Sequence, residues 1–167
     1  MCDIMRMKQL GIQLVRTAIA ALLAVALVSC EVETSDNGHL DGFWHLERVD
    51  TLATGNSADY SGRHVFWGTQ LHLIAVRNTE SVKDGYYLRF RQTADSLVVT
   101  AVFENKWHED ADGSVDGTGG DIPVLEPDDD MRFFGINDIP EGFAKERLDG
   151  KFMVLRSRTL RLAFRKF

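Results

Sequence analysis

The chain has 167 residues, of which 44% are apolar, 10% aromatic and 26% charged. This balance is that of a globular domain, and it excludes collagen, a wholly disordered chain and a polytopic membrane protein. The length predicts one domain, at about 100–200 residues per domain. Since 25 acidic residues outnumber 19 basic ones, for a net charge of -6, a nucleic-acid partner is disfavoured because its phosphates would be repelled.

The first thirty residues predict export. Arg6, Lys8 and Arg16 precede an uncharged apolar run over residues 17–28. The run is shorter than the roughly 20 residues that cross a bilayer. A short apolar run behind a basic flank is typical of a secretory signal peptide, so we predict one over residues 1–29.

The apolar run ends in Leu27-Val28-Ser29-Cys30, which resembles the lipobox of bacterial lipoproteins. A small residue fits the signal-peptidase site, and the Cys30 thiol would carry the diacylglyceryl thioether. The alternative is a plain signal peptide in which Cys30 falls here by chance. The resemblance implies an outer-membrane lipoprotein, periplasmic or surface-exposed, with the membrane as partner through Cys30. Stable anchoring needs more than one acyl chain, and a lipoprotein carries several.

Residues 30–41 predict a lipidated tether, because the segment after Cys30 is polar and acidic. Its acidity loosely resembles the surface-export signals of Bacteroidetes lipoproteins, and a solvated linker explains it equally well. Removal of residues 1–29 leaves 138 residues with 16 basic and 24 acidic side chains, a net charge of -8. Cys30 would be the only cysteine, so no disulfide can form and the stability must come from packing.

The first two predicted strands follow from apolar and polar residues that alternate with period two. Residues 43–49 place Trp44 and Leu46 on one face. Residues 65–76 read as one long strand, which places three large residues on one side: Trp67, Leu71 and Leu73.

Two further strands are predicted in the middle of the chain. Residues 86–91 alternate cleanly and present three apolar residues on one face: Tyr86, Leu88 and Phe90. Residues 97–103 present four: Leu97, Val99, Ala101 and Phe103. A turn at residues 93–96 separates the two strands.

The end of the chain predicts three more strands. Residues 143–148 and 152–156 form a hairpin across Asp149-Gly150, a favourable tight-turn dipeptide. Residues 160–167 place their apolar side chains on one face: Leu160, Leu162 and Phe164. Several short strands separated by turn signals predict a sandwich or a barrel.

The motif that opens this domain is Gly42-Phe43-Trp44. A Gly-x-Trp on the first strand, with a basic and aliphatic last strand, resembles the lipocalin and lipocalin-like (calycin) families, in particular the lipocalin-like lipoproteins of Bacteroidetes. The resemblance implies an all-β fold over residues 42–167, an antiparallel up-and-down β-barrel of about eight strands with a ligand cavity at one end. It also implies that Trp44 closes the barrel floor and that Arg161 or Arg165 packs across it. The alternative is that Trp44 is a core aromatic of another β-sandwich.

Five aromatic residues are the candidate ligand-binding residues: Trp44, Trp67, Tyr86, Phe90 and Phe103. All five fall on faces that the alternation predicts to point inward. In a small barrel they would fill the core, and in a wider one they would line an apolar pocket. Both interpretations remain open from the sequence.

The irregular segment over residues 105–130 is rich in aspartate and glycine. Asp110, Asp112 and Ser114 have the spacing of the first ligands of a calcium loop, but Val115 stands where such a loop needs glycine. A solvated acidic loop is the simpler interpretation. The histidines show no metal-ligand spacing, so we predict no metal site.

No catalytic motif is evident. The sequence lacks Gly-x-Ser-x-Gly, and the glycines over residues 117–120 are followed by Asp121 instead of the lysine of a phosphate loop. We therefore predict no enzyme and no cofactor. The predicted function is binding of a small apolar or amphipathic ligand in the barrel. The alternative is a non-catalytic interaction module of a cell-envelope assembly, with a solid barrel whose loop over 105–130 meets a partner that the sequence does not identify.

Overall fold

The computed structural model describes residues 35–82, 85–105 and 122–167. The strands in these ranges are β1 (Gly42–Thr51), β2 (Asn56–Asp59), β3 (Val65–Gln70), β4 (Leu73–Asn78), β5 (Tyr86–Gln92), β6 (Ser96–Glu104), β7 (Ile122–Val124), β8 (Glu141–Leu148), β9 (Phe152–Arg156) and β10 (Leu160–Lys166). A single 3-10 turn, Gly38–Leu40, precedes β1, and the short helix α1, Asp129–Phe133, follows β7. Neither helical segment in these ranges is long and apolar enough to cross a bilayer.

Eight antiparallel strands close into a barrel. The order around it is β1, β3, β4, β5, β6, β8, β9 and β10, and β10 pairs with β1 to close the ring. The two short strands pair at the margins, β2 with the end of β1 and β7 with the end of β6. The prediction of an all-β, up-and-down barrel of about eight strands is confirmed.

The predicted long strand over residues 65–76 is wrong, because it is two strands. β3 and β4 form a hairpin whose turn is Leu71 and His72, with Leu71 at φ 52°. The sequence has no glycine or proline there to announce the turn. The reversal changes the phase of the alternation, so Trp67 points inward on β3 but Ile74, not Leu73, does so on β4.

A β-bulge in β6 turns Phe103 to the face opposite the predicted one. Thr100 is left without a register partner when β6 pairs with β5, and one extra residue reverses the alternation beyond it. Leu97 and Val99 are buried before the bulge, and Val102 is buried after it. Phe103 therefore lies half-buried on the outside, and its predicted inward direction is wrong.

Large side chains fill the inside of the barrel. The fully buried ones include Trp44, Trp67, Phe143, Phe164, Leu46, Leu88 and Leu97. The Trp67 ring meets Phe143 edge-on at 6.1 Å and Phe164 at 5.1 Å between centroids. Interdigitated rings of this kind are typical of a close-packed protein core. Trp44 and Trp67 therefore fill the barrel and do not line a wide internal pocket.

The N-terminal turn closes one end of the barrel, which we call the floor. Trp44 lies here with its indole N–H donating to the Leu40 carbonyl at 2.8 Å. Gly42 has φ 121°, and a side chain there would collide with Lys166, whose Cε would lie 2.6 Å from an added Cβ. The Lys166 side chain could move aside, so it is the positive φ that favours glycine at this position of the Gly-x-Trp motif.

The cation over Trp44 is Lys166, which corrects the expectation of Arg161 or Arg165. The Lys166 ammonium lies 5.0 Å from the Trp44 ring centroid and donates to the Asp41 carbonyl at 2.6 Å. Arg161 and Arg165 lie on the outer face, because they alternate with the buried residues of β10. They pair there with Glu146 and Glu47 respectively.

The segment around α1 closes the opposite end, which we call the capped end. Met131, Phe134 and Ile136 are buried and belong to the same core as the barrel side chains. The Trp67 indole N–H donates to the Phe134 carbonyl at 3.2 Å, which ties the segment to the barrel wall. The rest of the acidic segment, residues 106–121, lies outside the described ranges.

The predicted turns at residues 93–96 and Asp149-Gly150 are confirmed. The Thr93 N–H donates to the Ser96 carbonyl at 2.9 Å. The Asp149 carboxylate accepts the backbone N–H groups of Lys151 and Phe152, each at 2.8 Å. These two hydrogen bonds, helped by Arg147, lower the pKa of Asp149 to about 2.

Candidate functional site

A pocket of about 330 Å³ lies at the capped end of the barrel. It is bounded by the end of β4, the start of β5, the end of β6 and the segment around α1. Its lining combines aromatic rings with polar and acidic groups: Asn78, Ser81, Gly85, Tyr86, Glu104, Asn105, Asp128, Asp130, Phe133 and Phe134.

Tyr86 and Asp128 join the two sides of the pocket. Gly85, at φ 84°, turns the chain into β5, so that Tyr86 is its first residue. The Tyr86 hydroxyl donates to Asp128 Oδ2 at 2.7 Å. Asp128 Oδ1 accepts the N–H of Met131 at 2.8 Å and so caps α1. One carboxylate therefore fixes both the helix and the hydroxyl.

The Tyr86 hydroxyl keeps its proton. Burial raises its pKa, and the hydrogen bond to Asp128 and the negative charges of Asp128, Asp130 and Glu104 raise it further. A neutral phenol that donates to Asp128 retains oxygen lone pairs that can accept a hydrogen bond. The pocket thus combines an acceptor with carboxylates in a small space.

Aromatic rings supply the apolar part of the lining. Tyr86 meets Phe134 edge-on at 6.0 Å between centroids, and Phe134 meets Phe133 in the same way at 5.8 Å. The Arg63 guanidinium covers the outer side of Phe133 at 5.4 Å from its centroid and lies 4.6 Å from that of Tyr60. Such a lining suits a ligand with an apolar body and a polar, hydrogen-bond-donating group.

Of the five aromatic candidates, Tyr86 alone lies in this pocket. Trp44 and Trp67 are fully buried in the barrel core. Phe90 is half-buried and packs against that core, and Phe103 lies on the outside. The structure does not bring the five together around one cavity. Cys30 lies outside the described ranges.

Sequence reasoning missed the other side of the pocket, which comes from residues 128–134. A helix signal is present there, because Asp128 is a favoured N-cap residue and Asp129 and Asp130 suit a first turn. Five residues make a short helix, and an apolar periodicity cannot be recognised over that length. In the described ranges no three histidine, cysteine, aspartate or glutamate side chains gather as metal ligands.

These features define a small closed β-barrel with a packed interior and a pocket at one end. The model of the lipocalin-like domain family matches residues 25–167, and the chain belongs to this family. The resemblance inferred from the Gly-x-Trp motif is therefore confirmed. Such a barrel suggests a capacity for ligand binding and is typically a non-catalytic fold.

Two solved structures are similar to this chain. A lipocalin-like protein from Bacteroides uniformis ATCC 8492 shares 18% identity at a TM-score of 0.51, over 78% of this chain and 100% of its own. An uncharacterized protein from Bacteroides eggerthii DSM 20697 shares 22% identity at a TM-score of 0.47, over 76% and 98%. No curated protein matches the chain.

Proposed function

We propose that this protein is a lipid-anchored protein of the cell envelope that binds a small amphipathic ligand in the pocket at the capped end. The main support is that large side chains fill the barrel, whereas a pocket of about 330 Å³ is present at its capped end. The family resemblance implies a ligand cavity at one end of the barrel, and we propose that this pocket has that role. Anchoring rests on the lipobox-like Cys30 and the signal-like residues before it.

Binding would bury the apolar part of the ligand against Phe133 and Phe134. The polar part would donate to the Tyr86 oxygen, which the hydrogen bond to Asp128 already holds in place. A preorganised acceptor loses little conformational entropy when the ligand arrives. No covalent step is involved.

Native mass spectrometry tests the binding function. Residues 31–167, which lack Cys30 and therefore the lipid, are produced in the native host and purified without detergent, and they are expected to carry a stoichiometric extra mass that is lost on denaturation. Phe133→Ala removes part of the pocket wall and is expected to release that mass. Phe152→Ala is the matched control, because this phenylalanine is 39% exposed and lies away from the pocket.

A bare polypeptide mass from the native host, repeated under gentle ionisation, would contradict the binding function. It would favour the alternative, a non-catalytic interaction module, which the packed barrel interior also supports. Equal loss of the extra mass in both phenylalanine variants would show that the ligand does not bind in this pocket.

The anchor is tested by Cys30→Ser. Serine has no thiol to form the thioether, so the variant is expected to leave the membrane fraction during a carbonate wash, while the wild type stays. Mass spectrometry of the wild type should show the added diacylglyceryl group. A variant that stays in the washed membrane would contradict lipid attachment at Cys30.

A further inference from the structure

The outer surface of the barrel has two different faces. Over β8, β9, β10 and the second half of β1 it carries ion pairs, such as Arg161 with Glu146 and Arg165 with Glu47, at 2.6 and 2.8 Å between nitrogen and oxygen. Over β3 to β7 the outward side chains are mostly apolar. Water solvates the first face well, whereas a contiguous apolar surface on the second marks an interaction site.

One row of outward residues crosses six strands through successive register pairs. From β1 to β7 its members are Phe43, Gly68, Ala75, Tyr87, Phe103 and Pro123. We call this set the apolar row. The bulge at Thr100 brings Phe103 into it by turning that ring outward.

A cluster of three phenylalanines ends the apolar row at β1. Phe43 stacks on Phe66 at 4.7 Å between centroids, and Phe167 meets Phe66 edge-on at 5.5 Å. Phe43 is 40% exposed and Phe167 is 78% exposed. Rings that pack on each other outside the barrel, and not in its core, present apolar surface to a partner.

The charged residues at outward positions of β5 are positive. Arg89 and Arg91 are both exposed there. The strands β3, β4, β5 and β6 are described in full, and none of their outward positions holds an acidic residue. This is unexpected on a chain of net charge -6, and it suits a negatively charged surface.

The chain leaves the barrel beside these same strands. Ser35 is hydrogen-bonded to Asp41, and Asn37 donates to the Leu71 carbonyl in the turn between β3 and β4. Gln92, the last residue of β5, donates to the Asn37 side chain at 3.0 Å. An extended chain covers at most about 3.6 Å per residue, so a lipid attached to Cys30 would lie no more than about 18 Å from Ser35.

We propose that the apolar row is the face with which the barrel lies on the membrane that holds its anchor. The proposal rests on the lipid anchor of the proposed function. The Tyr87 ring would lie at the level of the headgroups, where tyrosine is enriched, and the Phe103 and Phe43 rings would enter the boundary between headgroups and acyl chains. The arginines around them would meet anionic headgroups, and the pocket would open at the barrel end away from the tether.

A pair of matched alanines tests the orientation. Ala101 lies among the outward residues of β6 beside the apolar row, and Ala163 lies outward on β10 among the ion pairs, three strands away around the barrel. Both are half-buried. Ala101→Cys and Ala163→Cys, each with Cys30→Ser, would carry an environment-sensitive NBD fluorophore on their single cysteine.

Each labelled chain, residues 30–167, would be held by an N-terminal histidine tag on vesicles of phosphatidylethanolamine, phosphatidylglycerol and a nickel-chelating lipid. Residues 35–167 form one compact unit, and circular dichroism would verify the fold of each variant. We expect a blue-shifted emission at position 101 and a several-fold greater loss of fluorescence there than at position 163 when a shallow nitroxide lipid is added.

Equal quenching at both positions, or quenching at neither, would overturn the proposal. A blue shift at position 101 without nitroxide quenching, together with a concentration-dependent dimer in sedimentation, would show that a second copy covers the row, and would also overturn it. Because the tag replaces the lipid, this result is independent of Cys30 modification. A wild-type mass without the diacylglyceryl group would refute the anchor alone.

Discussion

Trp44→Ala is expected to lower the free energy of unfolding by about 3–5 kcal/mol, the usual cost of removing a fully buried tryptophan. The side chain is fully buried, so its loss leaves a cavity at the floor. It also removes the indole donor of the Leu40 carbonyl and the ring beneath the Lys166 ammonium. Urea unfolding at neutral pH would measure the loss, and a thermal scan should show a Tm lower by about 10–15 °C.

Phe43→Ala is the matched control, because Phe43 is the adjacent residue but points outward and is 40% exposed. It is expected to cost less than half as much, since much of its ring is already in contact with water. An unchanged midpoint for Trp44→Ala, or equal losses in the two variants, would contradict the role of Trp44 in closing the floor.

The alternation of apolar and polar residues predicted the barrel well but lost the phase at two points. In both places a backbone event, the turn at Leu71 and the bulge at Thr100, reverses which residues point inward. Neither place has a glycine or proline to signal it. Leu73 and Phe103 were therefore assigned to the wrong face.

The alternation on the last strand already indicates which cation packs on the Trp44 ring. The residues predicted to point inward on the last strand, Leu160, Leu162 and Phe164, have even numbers. Arg161 and Arg165 must then point outward, whereas Lys166 shares the inward phase and stands beyond Phe164 at the floor. The family resemblance suggested an arginine, and the alternation on this chain indicates lysine.

The pocket could not be predicted, because its two sides are far apart in the chain. Tyr86 and Asp128 are separated by 42 residues, and a hydrogen bond between them depends on where α1 meets the barrel. Nor could the alternation distinguish a packed barrel from a hollow one. Inward apolar residues such as Trp67 serve either purpose, and the difference lies in how closely rings from opposite strands approach each other.

Gly85→Ala is expected to lower the free energy of unfolding by about 2–6 kcal/mol, combining the strain of a left-handed residue with the cost of overpacking. Gly85 has φ 84°, a conformation that alanine rarely adopts, and an added Cβ would overlap the carbonyl oxygen of Val76 on β4. That oxygen belongs to the backbone, so relief requires β4 and β5 to separate. Tyr86 would move with β5 and leave Asp128.

Gly142→Ala is the matched control, because nothing lies within 4 Å of a Cβ added to this glycine on β8. Its urea midpoint should equal or slightly exceed that of the wild type, because an unstrained alanine restricts the unfolded chain, whereas that of Gly85→Ala should fall. The ligand mass expected in native spectra should also be lost in Gly85→Ala and retained in Gly142→Ala, since only the first change displaces Tyr86. A stable Gly85→Ala variant that keeps the ligand would show that β5 can shift without opening the pocket. It would also contradict a role for Tyr86 in ligand binding.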